Sequence, residues 1–185
     1  MNKLNPSTGF GSLSPKGTIG NKPRYFRPYH STIAVTSQIA TAGRVILHLV
    51  EVSSSCIVDA VIIVNAATVA GNVTIGLYGQ VPLTTDSCVG IPLIAESAST
   101  AQSGASTAQI ISFTSSTYIG AGKYYIAVEY SDATATYMRN SNQVQVPGWI
   151  QYYDRAGGYG ALTNPCPVIV ETGSSSVGCN LRVSS

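Results

Sequence analysis

The chain has 185 residues, 44% of them apolar and 10% charged, with a formal charge of +2; soluble domains ordinarily carry about a quarter charged residues. No apolar run reaches the roughly 18 to 20 residues needed to cross a bilayer as a helix, so no membrane partner is expected. Length suits one domain plus an appendage, since a body of about 150 residues buries roughly two thirds of its unfolded surface without metals or staples.

The appendage comes first. Residues 1–50 hold six basic side chains and no acidic one, whereas residues 51–185 hold four basic and eight acidic, so the small net charge hides a split of +6 and −4. The opening "MNKLNPSTGFGSLSPKGTIG" supplies turn formers where a secretory signal needs an apolar stretch. The chain is therefore expected to work in the cytoplasm or in a particle assembled there. Residues 1–30 intersperse four prolines and four glycines and read as an extended basic arm, with Lys3, Lys16, Lys22, Arg24 and Arg27 as its anchoring contacts. Its charges are scattered singly among prolines rather than clustered, which favours docking on an acidic protein surface over gripping nucleic acid.

Beyond residue 30 the period is two. "RVILHLVE" (44–51) and "CIVDAVIIVN" (56–65) are apolar on both sides, as in strands covered on both faces, one of them by a partner subunit. "NVTIGLYG" (72–79) alternates Val73, Ile75 and Leu77 against Asn72, Thr74 and Tyr78, and reads as half-buried. In the stretch that follows, "QVPLTTDSCVGIPLIAES", Gly90 and Pro92 admit an edge strand at most, because proline cannot donate to a ladder. It is a sheet corner and not a phosphate cradle: no lysine lies between Lys22 and Lys123 to serve a P-loop. "AQIISFTS", "KYYIAVEYS", "GWIQYYD", "CPVIVETG" and "GCNLRVSS" complete about eight or nine strands, with "KYYIAVEYS" half-buried, and no stretch shows a capped 3.6 period. The expected fold is all-β: an antiparallel sandwich of jelly-roll type over residues 31–185, a closed barrel being the alternative.

Three segments, "RVILHLVEVSSSCIVDAVIIVNAATVAGNVTIGLYGQ", "GIPLIAES" and "YIGAGKYYIAVEYSD", together resemble a β-sandwich module of tailed-bacteriophage structural proteins. In that module a strand ending in Gly-x-Tyr precedes a Gly-x-Pro loop, and a later Gly-x-Tyr-Tyr strand closes the sheet; Tyr78, Gly90, Pro92, Gly122, Tyr124 and Ala127 fall on those positions. The resemblance covers residues 44–132 and implies a virion component, commonly a homotrimer, found in fibres, tail tips and capsid decorations. The chain lacks the coiled coil or repeated shaft of long fibres. That favours a decoration or cement protein on the major capsid protein.

Chemistry-bearing residues are sparse. His30 and His48 lie in no recognisable metal or nucleophile motif, no serine sits in a Gly-x-Ser-x-Gly elbow, and the eight carboxylates are dispersed, Glu129 and Asp132 being the closest pair. Neighbouring strands can still bring two carboxylates together, which leaves a glycosidase open on spacing alone. The expectation is no enzyme, no cofactor and no metal. Cys56, Cys88, Cys166 and Cys179 show no zinc spacing; Cys166 and Cys179 flank a Gly/Ser turn and can face each other across a hairpin as a disulfide, the others being small buried apolar groups. "NVT" at Asn72 matches a glycosylation acceptor but falls inside a strand. Finally, "WIQYYDRAGGYG" gathers Trp149, Tyr152, Tyr153, Asp154, Arg155 and Tyr159 beside a glycine run. Such a mixture serves a subunit contact or, less favoured, a host glycan.

Overall fold

A computed structural model describes residues 24–26, 35–82, 86–140, 150–155, 157–169, 171–172 and 176–184. In chain order the strands are β1 (Arg24–Phe26), β2 (Val35–Ile39), β3 (Arg44–Val52), β4 (Cys56–Val64), β5 (Asn72–Val81), β6 (Leu93–Glu96) and β7 (Thr100–Ala101), followed by β8 (Ala108–Ile119), β9 (Gly122–Tyr130), β10 (Thr136–Asn140), β11 (Ile150–Asp154), β12 (Glu171–Thr172), β13 (Ser176–Val177) and β14 (Cys179–Val183). No helix occurs among the described residues. The large sheet runs β12-β11-β3-β9-β5-β6 with β7 also on β5; a four-stranded sheet runs β1-β14-β4-β8, and a three-stranded one β13-β10-β2. Neighbouring strands pair antiparallel throughout.

The large and four-stranded sheets face each other over one core. Period-two alternation supplies it: Ile46, Val50 and Val52 from β3, Val73, Ile75 and Leu77 from β5, and Tyr124, Ile126, Val128 and Tyr130 from β9 point toward Val58, Val61 and Ile63 of β4, Ile111 and Phe113 of β8 and Leu181 of β14. This is an antiparallel β-sandwich. Strand β6 sits at the edge of the large sheet, where Pro92 just before it costs no ladder bond.

Expectations about burial change at β4, β5 and β9. Strands β5 and β9 are buried on both faces, because Thr74, Gly76 and Tyr78, and likewise Tyr125, Ala127 and Glu129, lie under loops that cross the outer face of the large sheet. Strand β3 is covered on both faces as its composition suggests, and its outer cover comes from the same chain. In β4 a bulge between Val58 and Ala60 shifts the register, and its outward side keeps Ile57 exposed and Ile62 half-buried. The basic leader also contributes to the body: β1 joins the free side of β14, with Arg24 opposite Val183.

Candidate functional site

Among the described residues, polar and titratable side chains converge most densely on the covered outer face of the large sheet. Alternation aims Thr74, Tyr78, Tyr125, Glu129, Gln151 and Tyr153 at that face. Residues 86–92 and 157–169 lie across it. An apolar cluster of Val45, Leu47, Leu49, Tyr78, Tyr125, Ala127 and Tyr153 from the strands with Cys88, Leu162 and Cys166 from the loops seals the contact.

Polar tips then fix each loop in place. At one end Glu129, fully buried, receives Arg155 Nη1 at 3.3 Å from each carboxylate oxygen and Gly160 N at 3.4 Å. Burial raises the Glu129 carboxyl above its ordinary range, the arginine opposing and nearby Glu96 reinforcing that shift. Glu96 accepts from Leu162 N at 2.6 Å. Tyr159 Oη shares hydrogen bonds with Thr74 Oγ1 at 2.7 Å and Ser99 Oγ at 2.9 Å. In the centre the loop descends onto Gly76: a Cβ there would overlap Leu162 Cδ1 and lie 2.9 Å from Leu93 Cδ1.

The other half is held by tyrosines and one glutamine. Thr163 N donates to Tyr153 Oη at 3.4 Å, the two phenols meet at 2.8 Å, and Tyr78 Oη donates back to Thr163 O at 2.7 Å, a closed ring with Thr163 at both ends. Burial is the main cause that pushes the Tyr153 phenol up to about 12 and the Tyr78 phenol further still, so both stay protonated in use. Gln151 accepts from Cys88 N at 3.1 Å and donates to Tyr125 Oη at 2.8 Å and to the Asp86 carbonyl, which Tyr125 also reaches. Lys123 Nζ pairs with the Asp86 carboxylate at 2.8 Å.

The expected site residues fall differently from the sequence reading. Lys3, Lys16, Lys22, Arg27 and Trp149 lie outside the described residues, and of Arg24 only the backbone is described. Tyr152 and Tyr153 are both buried, so neither presents a ring to a subunit or a sugar; consecutive residues of a strand point to opposite faces, and here both faces are covered. Asp154 takes a bidentate bond from Arg44, its cross-strand neighbour, at 2.8 and 3.2 Å, and this bond holds its carboxyl below the usual range. The same guanidinium lies 5.7 Å from the Tyr152 ring centroid. Arg155 and Tyr159 are engaged inward with Glu129 and Thr74.

Cys166 and Cys179 are not brought together. Cys179 opens β14 opposite Ile63, inside the core between the sheets, while Cys166 lies in the cover on the other side of the large sheet. The hairpin fails because β12 pairs with β11 and β13 with β10. All four cysteines are free thiols. Glu129 and Asp132 also separate: Asp132 accepts from Thr134 N and Oγ1 at 2.7 and 2.6 Å in the turn after β9. His48 is buried on the inner face of β3, its Nε2 accepting from Val177 N at 3.1 Å, a structural role.

Gln151, Tyr78, Glu96, Leu162 and Cys88 were not identified from sequence as members of one network. One signal was available. Glycine inside a strand, as at Gly76, marks a close approach by another part of the structure. Among the described residues no cluster of three His, Cys, Asp or Glu is placed to hold a metal ion, and no helix is long and apolar enough to cross a membrane. No family model matches the chain, and neither a curated protein nor a solved structure matches it.

Proposed function

We propose that this protein is a structural component of a tailed-bacteriophage virion, a capsid decoration or cement protein that docks through its N-terminal leader on the major capsid protein and stiffens the particle as a homotrimer. The resemblance over residues 44–132 supplies the class, and one structural observation supports the mode of action. The outer side of the four-stranded sheet carries apolar side chains left uncovered in the single chain: Ile57 is 47%, Ile110 51% and Tyr118 70% exposed. They form two local pairs, Ile57 opposite Tyr118 and Ile62 opposite Ile110 across β4–β8, with the Asp59–Arg182 ion pair and Ser112 between them.

The leader enters the body at the edge of this same sheet, through β1 on β14. A partner that bound residues 1–23 would therefore hold the body next to its apolar sheet. The covered outer face of the large sheet fits the same role, because the Arg155–Glu129 and Lys123–Asp86 ion pairs and the Tyr78 and Tyr153 phenols tie the covering loops to its strands. Reducing backbone freedom at a docking surface lowers the ordering cost of assembly.

Association with particles tests the proposal. A chain lacking residues 1–23 but retaining β1 should fold, with an unchanged circular dichroism spectrum, and fail to cosediment with heads; normal cosedimentation would refute docking through the leader. The intact protein should be present at a copy number on the scale of the shell subunits. A handful of copies per particle, with lost adsorption and sturdy heads in its absence, would place it in the tail as a glycan-binding module instead.

A further inference from the structure

We propose that Cys88 and Cys166 form a reversible disulfide latch that ties the two loops covering the large sheet to each other. Three observations converge on this pair. The backbone of residues 88–91 forms a turn closed by Ile91 N donating to Cys88 O at 3.0 Å, with Gly90 at φ +77°. Cys166 pairs directly with that turn, its N–H donating to Ile91 O at 2.9 Å and its carbonyl accepting from Gly90 N at 2.9 Å. Both side chains lie in the same buried cluster, where burial and then the neighbouring Cys166 sulfur hold the Cys88 thiol protonated. With the Cys166 backbone already hydrogen-bonded to the turn that carries Cys88, closing an S–S bond asks for side-chain rotation more than for backbone travel. Cys56 and Cys179 belong to the four-stranded sheet, across the large sheet from this pair, and cannot compete for it.

The oxidant is a low-molecular-weight disulfide of the glutathione class. One protein thiolate attacks a sulfur of that disulfide and expels one small thiolate, leaving a mixed disulfide; the second protein thiolate attacks the protein-side sulfur and expels the other. The protein loses two protons and two electrons, and the small disulfide is reduced to two thiols. Burial raises the Cys88 thiol well above its ordinary range, so the first attack needs the cover to open. Thr163, Asn164, Pro165 and Val168 around Cys166 are exposed, so the small disulfide reaches this side of the cover first when it opens. Once closed, the bond holds it down. The latch does not depend on the function proposed above.

Incubating the purified full-length protein with a series of oxidised-to-reduced glutathione ratios, followed by alkylation, proteolysis without reductant and mass spectrometry, tests the pair. The expected product is a Cys88–Cys166 linked peptide, two hydrogens lighter than its parts, together with a thermal midpoint raised by roughly 10 °C over the reduced protein. The double variant Cys56→Ser/Cys179→Ser should give the same linked peptide, and Cys88→Ser should stop at a glutathione adduct on Cys166. Four alkylatable thiols after full oxidation, a link from Cys166 to Cys179, or a linked form with an unchanged midpoint would each overturn the latch.

Discussion

Acidification should unfold this protein chiefly through His48. The residue is 1% exposed, sits in β3 between Ile150 of β11 and Ile126 of β9, and accepts a hydrogen bond from Val177 N with its Nε2. That bond requires a neutral ring carrying its proton on Nδ1. Burial depresses the imidazole from 6.5 to about 3. The unfolded chain therefore takes up a proton below pH 6.5 that the folded chain refuses, and the stability this group contributes, fully present above 6.5, is lost as pH falls toward 3. At 1.36 kcal/mol for each pH unit the loss amounts to about 5 kcal/mol, a third or more of the stability of an ordinary domain. Urea unfolding of the wild type and of His48→Gln between pH 7 and 4 should register about 3 kcal/mol of it. Glutamine keeps an acceptor for Val177 N and cannot titrate, so the variant should show a flatter dependence, the two curves converging toward acid. Parallel curves, or an NMR titration that places folded His48 near 6.5, would refute the reasoning.

Arg155→Met removes the counter-charge of a fully buried carboxylate and should cost about 3 to 5 kcal/mol at neutral pH. Because Glu129 already has a raised pKa in the fold, the stability tied to it is present at low pH and lost as pH rises through that raised value, so this variant should recover on acidification, as followed by chemical denaturation. Tyr130 stacks on Tyr137 at 5.4 Å between ring centroids, and its buried hydroxyl has no hydrogen-bond partner. Tyr130→Phe keeps the ring and deletes the orphaned group; a thermal midpoint equal to or above that of the wild type is expected, by about 1 kcal/mol, and a clear fall would show that the hydroxyl is paired.

How far the sequence discloses this molecule depends on whether the deciding contacts are local. The strand pattern is local: in β5, Val73, Ile75 and Leu77 alternate with period two and take one face, whatever lies elsewhere in the chain. What covers the other face is not local. Thr74, Tyr78 and Glu129 look solvent-facing because they are polar, yet each has a polar tip on an otherwise buriable side chain, and each tip meets a group 31 to 85 residues away. Polarity at alternate positions thus reports where a hydrogen-bond partner is required, and water is only one such partner. The same distinction explains the aromatic segment. Tyr152 and Tyr153 suggest a binding surface because tyrosines are common in interfaces, but β11 lies inside a sheet covered on both sides, and adjacent residues of such a strand have no exposed face to occupy.

Strand β4 runs the other way. Its apolar residues on both sides resemble those of β3, but no loop of this chain crosses its outer face among the described residues, and Ile57 with Tyr118 remains open to solvent. Two strands of similar composition therefore differ in their cover: β3 is finished by its own chain, whereas β4 keeps Ile57 exposed and Ile62 half-buried on its outer side. A cover that is intramolecular spends its hydrogen bonds on rigidity, and an apolar face left without one keeps its burial energy for assembly. Under the proposed structural role, the apolar groups open to a partner are the Ile57–Tyr118 and Ile62–Ile110 pairs, since Tyr152 and Tyr153 of the aromatic segment are buried.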